Sequence, residues 1–376
     1  MRVTLDGQYR SMISSLQSQM TEMTNLNDQI SSGKRLQYLS DDPLASAEVI
    51  KFKKRLTHIE QYNKDITRGN AWIKSTDNVL DNVEGIVRDV KTYAEQAATE
   101  TYDYDNRKEI SYHIDAMAEE IMQNANTDIN GEYIFSGFKT DRKPFKIPDS
   151  AFQSTGSNGN NFTISGYKHS FDLNLKIRAI DSTHYEFSVD GGNTYINNNG
   201  SGFTFGAVNP ILGFTISGTA TANEEATFNI EHEYQGDNGE YKVETNKGQH
   251  ITINKTGKEV FAESDDKNIF KIMGNLWAGL VTNNRDMISN QIDKLNNFEK
   301  HDLKLQAWTG SSLNRLDQIS NSMLVKDKEN TTKAISDLED ADVSEAITKL
   351  MQTQTIYEAT LKATAMISNI NIMNFL

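Results

Sequence analysis

The two ends of this chain carry apolar stripes of the same spacing, and that pairing constrains the fold more than any other feature. Tyr9, Met12, Leu16, Gln19, Met23, Leu26 and Ile30 fall on alternating steps of three and four residues. Val343, Ile347, Leu350, Gln354, Tyr357, Leu361 and Thr364 repeat the pattern near the other end. Such spacing keeps one stripe along one side of a helix and suits a coiled-coil seam. A lone amphipathic helix at a terminus has nothing to bury against. Two of them can bury against each other, or against copies in neighbouring chains. A further series, Ala359, Ala363, Met366, Ile370 and Met373, is displaced around the last helix. A helix apolar on several faces is buried on several sides, which two terminal helices alone do not provide. The apolar members of both stripes, with Met366, Ile370 and Met373, are therefore the candidate assembly interface with other chains.

Between the ends the texture runs helix, strand, helix. From Val49 the series Phe52, Leu56, Ile59, Asn63, Ile66, Asn70, Ile73 slips by three residues at Thr76 and resumes as Leu80, Val83, Val87, Val90, Ala94, Ala97. A three-residue slip overwinds a coiled coil locally without ending it. The spacing predicts a helix about 75 Å long at about 1.5 Å per residue, hence a rod. Ser40-Asp41-Asp42 before Pro43 marks its start, because proline suits the first helical position. After a turn at Tyr102–Asn106, a shorter helix follows through Ile110, Ile114, Met117 and Ile121.

From about Lys139 to Ser264 the chain is rich in Gly, Asn, Thr and Ser. Strand alternation appears at Phe171–Ile177, Tyr185–Val189, Ala226–Glu231, Tyr241–Thr245 and His250–Asn254. Asp190-Gly191 and Gly236–Gly239 read as hairpin-type turns. Helical periodicity returns at Ile269, Met273, Leu276 and Leu280, then at Ile288, Ile292 and Leu295. It continues with Leu313, Leu316, Ile319 and Met323 inward. The expected fold is mainly α with an inserted all-β domain: an antiparallel long-helix, coiled-coil rod with paired terminal helices and a β-sandwich or barrel-like insert at the far end. The expected domains are 1–36 with 341–376 for assembly, 37–140 with 266–340 for the rod, and 141–265 for the insert.

Composition narrows the function classes. The 376 residues carry a formal net charge of −14, which argues against nucleic acid or an anionic membrane as the main partner. With no cysteine, disulfides and thiolate metal sites are excluded. Met1–Arg10 lacks the apolar core of a signal peptide, and Ala363–Leu376 is too short and too polar to span a bilayer. These features suit a cytoplasmic protein or one exported without a cleavable signal.

No catalytic constellation stands out, and no enzyme activity or cofactor is expected. The seven histidines form no His-Glu-x-x-His, and no phosphate loop is present. The Gly200, Gly202 and Gly206 cluster misses dinucleotide spacing and reads as loop chemistry. Asp103, Asp105 and Asn106, like Asp340, Asp342 and Glu345, hint at calcium loops but lack the glycine of the sharp turn. They read better as helix caps. Glu224-Glu225 reads as solvated charge in an exposed turn, not as a glycosidase pair. Tyr133-Ile134-Phe135 reads as packed core where rod becomes insert.

Taken together, the motifs resemble the bacterial flagellin superfamily. Ser31-Ser32-Gly33-Lys34-Arg35 followed by Ser40-Asp41-Asp42-Pro43 looks like its N-terminal helix-turn-helix. Thr309-Gly310-Ser311-Ser312-Leu313-Asn314-Arg315-Leu316 is similar to its Gly-x-x-x-Asn-Arg-Leu stretch. Asp340–Val343 and Leu350–Leu361 resemble its closing helix. Pro43 after two aspartates, Gly131–Gly137 leading into the insert, and Tyr234–Asp237 through Asn254–Gly257 and Phe261 leading out look more like the hook–filament junction branch. That resemblance implies a structural adaptor forming a homo-oligomeric ring between hook-associated protein 1 and flagellin. It also implies type III export with a cytoplasmic chaperone, and residence in the extracellular flagellum. Two other readings stay open: a filament flagellin, and an adhesin or glycan-binding module carried by the insert.

Overall fold

The computed structural model describes residues 5–373 apart from 198 and 199. Helices α1 (Leu5–Ser32), α2 (Pro43–Ala98) and α3 (Tyr104–Ala125) come first. The β insert follows, then α4 (Gly257–Phe261), α5 (Ile269–Val281), α6 (Arg285–Gln318), α7 (Val325–Glu339) and α8 (Val343–Met373). Pro43 does open α2, and the Asp42 carboxylate accepts from the backbone N–H groups of Leu44 at 3.2 Å and Ala45 at 3.0 Å. Asp103 caps α3 by accepting from Asn106 N at 2.9 Å. Asp342 caps α8 by accepting from Ser344 N at 2.9 Å and Glu345 N at 3.0 Å. These acids satisfy amide groups that the first turn leaves free.

The contacts divide the chain into two compact units, Met1–Asn63 with Ser320–Leu376, and Lys64–Ile319. The second unit has its core around α5. Ile269, Phe270, Met273, Leu276, Trp277 and Leu280 are all buried, and a short helix that is apolar all round belongs in an interior. It packs against α3, α6 and the insert. Gly274 is required there: a Cβ would stand 1.7 Å from the Asp172 carbonyl oxygen.

The insert's strands lie close to their expected positions. The larger sheet runs β10-β6-β7-β8 (Glu225–Ile230, Leu173–Ala179, His184–Ser188, Phe203–Thr204), all antiparallel. Leu173, Leu175 and Ile177 are buried on one face while Asn174, Lys176 and Arg178 point outward, the two-residue period of a half-buried strand. A second sheet runs β4-β5-β9 (Gln153–Thr155, Asn161–Ser165, Thr215–Gly218). Phe205 links the two sheets, with its ring 4.8 Å from Tyr185 and 5.8 Å from Phe162. The remaining strands form two-stranded pairs: β1-β2 (Asp128–Ile129, Glu132–Tyr133), β3-β11 (Phe145–Lys146, Glu233–Tyr234) and β12-β13 (Lys242–Asn246, Gln249–Thr252). The sheets do not close into a barrel.

Three local expectations need correction. Gly236–Gly239 is not a hairpin turn, because β11 and β12 pair with other strands. It is half of a clasp that fastens the two strands of chain leading into and out of the insert. Asp237 accepts from the N–H of Phe138 at 2.7 Å and of Gly239 at 2.9 Å. The Tyr234 hydroxyl donates to the carbonyls of Phe135 at 2.7 Å and Asp237 at 3.0 Å. Phe135 is fully buried against Phe261, ring centres 5.2 Å apart and edge to face. Glu224 is not solvated either. Its buried carboxylate accepts from Asn160 Nδ2 at 2.6 Å, Thr221 N at 3.1 Å and Asn158 N at 3.3 Å. These donors hold its pKa below the usual range against the opposing effect of burial. Finally, Met323 points outward and Leu324 is buried in its place. Ile319–Leu324 is a π-helical turn, and the wider turn shifts every later side chain by about one position.

One buried acid lies unpaired in the second unit. Asp302 on α6 is 1% exposed; one oxygen accepts from Gln306 at 3.0 Å and the other has no partner. Burial, with the Glu84 and Asp81 carboxylates on α2 adding to it, pushes its pKa up to about 7. The folded chain thus keeps a proton that the unfolded chain loses near 3.8. Its effect on stability is fully favourable only below that value and declines as pH rises to about 7, where it levels off.

Two outcomes follow for thermal melts. Gly137 sits at φ +65 with Asp237 Oδ1 only 2.2 Å from where a Cβ would be; Gly137→Ala lowers stability by about 2 kcal/mol or more. Asp302→Asn flattens the loss of stability between about pH 4 and pH 7 and raises the midpoint at about pH 8, a gain in stability on the order of 2 kcal/mol. An unchanged pH profile in that variant would refute the assignment.

Candidate assembly surface

In the first unit α1 lies along α8. Gln19 Nε2 donates to Thr360 Oγ1 at 3.5 Å, a contact between two of the expected seam regions. Along α1, Leu26 is buried, Met12, Leu16, Met23 and Ile30 are half-buried, and Tyr9 is exposed. On α8 the covered line is Ala346, Leu350, Thr353, Tyr357, Thr360 and Thr364. It keeps the three-and-four spacing but shares only Leu350, Tyr357 and Thr364 with the stripe read from sequence. The helix is rotated by a fraction of a turn, so small residues, Ala346 and Thr353, face α1. Val343, Ile347 and Leu361 lie on the uncovered flank, Leu361 being 45% exposed. Met351 and Met366 are still more open, at 64% and 66%. The side chains of Ile370 and Met373 lie outside the described residues.

The joint below these helices is held by charge. The Glu339 carboxylate, 9% exposed, bridges Lys34 at 2.6 Å and Lys53 at 2.7 Å. Arg35 N donates to Glu339 O at 2.7 Å, and Ala341 N to Gly33 O at 2.9 Å. Gly33 has φ +69, the left-handed geometry that ends a helix. The carboxylate's pKa is held below the usual range, first by hydrogen bonding from Lys34 and then from Lys53. Sequence reading singled out Gly33 and Lys34 in a motif but missed Glu339, because nothing local marks its partner some three hundred residues away.

Residues 6–140 match the bacterial flagellin N-terminal helical region and residues 286–376 the bacterial flagellin C-terminal helical region, together more than half of the chain. The chain belongs to the bacterial flagellin family. Among curated flagellar proteins, it is 28% identical over 146 residues to flagellar hook-associated protein 3 of Salmonella typhimurium, and 27% over 146 residues to that of Escherichia coli K12. Each match covers 39% of this chain and 46% of the relative, so the chain spans about half the length of the curated relatives it matches. A Vibrio parahaemolyticus structure assigned as a flagellar hook-associated protein aligns with TM-score 0.54 at 16% identity, over 80% of this chain and 100% of its own. That likeness speaks for the flagellin-like fold. Among the described residues, no group of three or more His, Asp or Glu could hold a metal ion, and no helix is long and apolar enough to cross a membrane.

Glu339→Gln removes the charge shared by two lysines and loosens the joint by about 1 kcal/mol, since both lysines are half exposed. The Glu339 contribution is present above the carboxyl's unfolded value of 4.5 and is lost as pH falls through the lowered folded value. Melts of the two proteins should therefore differ at neutral pH and converge in acid.

Proposed function

We propose that this chain is a structural adaptor at the hook–filament junction of the bacterial flagellum. Its α1 and α8 pack, as a ring of identical subunits, between hook-associated protein 1 and flagellin. In this reading it leaves the cytoplasm through type III export with a flagellar chaperone, and the three parts 1–36 with 341–376, 37–140 with 266–340, and 141–265 serve assembly, rod and insert. The observation that carries the proposal is the uncovered apolar flank of α8, Val343, Ile347, Met351 and Leu361, on a helix already paired with α1. Water-exposed aliphatic rows of this kind mark a site of further burial. Each large side chain that becomes covered contributes roughly 1.5–3 kcal/mol. Family membership and the match to hook-associated protein 3 favour the junction over other positions in the flagellum. The residues proposed for contact with other subunits are those of the sequence-derived interface: Tyr9, Met12, Leu16, Met23, Leu26 and Ile30 on α1, and Val343, Ile347, Leu350, Tyr357, Leu361, Met366, Ile370 and Met373 on α8.

Seeded assembly on purified hooks decides it. The wild-type chain binds a hook tip bearing hook-associated protein 1, stops there, and permits flagellin to grow from the new end. Leu361→Asp places a charge on the uncovered flank and abolishes binding while leaving the helical content intact. Continuous self-polymerisation of the wild type would mean a filament flagellin. Normal incorporation of the variant would show that this flank is not the interface.

A further inference from the structure

A cleft of about 230 Å³ opens in the second unit between the outer face of α3, the loops around Lys168 and Pro210–Gly213, and α5. Tyr104, Lys108 and Tyr112 stand at successive four-residue steps on α3 and line it, which places them in one row. The tyrosines are exposed, Tyr112 at 62%. Lys168 on a neighbouring loop and the buried Trp277 of α5 line the same cleft.

With a net charge of −14, acids outnumber bases, and some lysines find carboxylates, as Lys91 does with Glu299 and Lys176 with Glu225. Neither Lys108 nor Lys168 makes an ion pair among the described residues. The one acid in the cleft, Asp115, is engaged through one oxygen with His169 Nδ1 at 2.7 Å. The other ring nitrogen of His169 is 2.9 Å from the Leu212 carbonyl. Its ring is also packed 5.1 Å from Trp277 and 4.9 Å from Phe171. The wall is thereby fixed in place before any ligand arrives, which lowers the ordering cost of binding.

We propose that this cleft binds a single residue of an acidic saccharide. The volume suits one sugar ring. Tyrosine faces suit the apolar C–H face of a pyranose, two unpaired ammonium groups suit its carboxylate, and the free oxygen of Asp115 can accept from its hydroxyls. A neutral sugar would make no charge-assisted contact with either ammonium group. The proposal stands apart from the junction reading, which rests on α1 and α8.

Titration calorimetry on the whole chain tests it, with sodium glucuronate and N-acetylneuraminate as probes and glucose and sodium acetate as controls. The expected result is a Kd on the order of 1 mM for at least one acidic sugar. Both controls should bind at least about tenfold more weakly, corresponding to about 1.4 kcal/mol. Tyr112→Ala and Lys168→Ala, both at exposed positions and checked for unchanged melting, each weaken binding by about tenfold or more. Three results would each overturn the proposal: no heat with either acidic sugar at about ten times that concentration, equal binding of acetate, or unaltered affinity in both folded variants.

Discussion

Burial of α1 against α8 is the interaction on which the rest depends. It joins side chains 341 positions apart, such as Gln19 and Thr360, and so closes the chain into one long excursion. The loop-closure cost grows only slowly with length, so the intervening residues can hold a whole second unit without penalising the closure much. The electrostatic joint at Glu339 sits where this pair begins, tying the first interhelical turn to the start of the last helix. Only a small part of its strength is Coulombic, since the lysines are half exposed; the backbone hydrogen bonds of Arg35 and Ala341 fix the geometry.

The same economy governs the insert. A β domain inserted in a helical chain has two covalent connections, and these must be held side by side or the domain frays. Tyr234, Asp237 and the glycines at 137, 239 and 257 supply that clasp, the glycines lying too close to Asp237, to the Phe138 ring and to the Phe145 ring, respectively, for a Cβ. Around them Phe135, Phe145, Phe261 and Phe270 share one aromatic cluster. The matched flagellin N-terminal region runs through the segment leading into the insert, to residue 140. A clasp made from backbone approach and specific side-chain donors tolerates few residues, whereas an alternating strand needs only apolar and polar in turn.

Assembly in this reading uses what the single chain leaves uncovered. The covered line of α8 mixes the small or hydroxylated Ala346, Thr353, Thr360 and Thr364 with Leu350 and Tyr357, while Val343, Ile347, Met351 and Leu361 are on its flank. A close α1–α8 contact needs small residues at the crossing, so the bulkier side chains are turned toward other partners. Buried Asp302 points to a different property of the second unit. A carboxyl that keeps its proton up to about pH 7 leaves the helix pair less stable at neutral pH than in mild acid.

Periodicity alone determined the helices, their order, the central strand-rich region and most of the buried residues of α2, because apolar spacing reports which face of an element meets a core. Pro43 and the capping acids were equally legible, since their partners are a few residues away. Tertiary structure decided what depends on distant groups or on small rotations. The three-and-four pattern fits two adjacent faces of α8, and only packing against α1 selected the line through Ala346 and Thr353. The π turn at Ile319–Leu324 exchanged Met323 for Leu324 with no sequence mark that spacing could detect. Glu224 and Glu339 look like ordinary surface acids until the chain folds and brings donors from remote segments to them. The cleft at Tyr112 and Lys168 is likewise a product of the fold, since the residues that line it come from segments that share no local pattern.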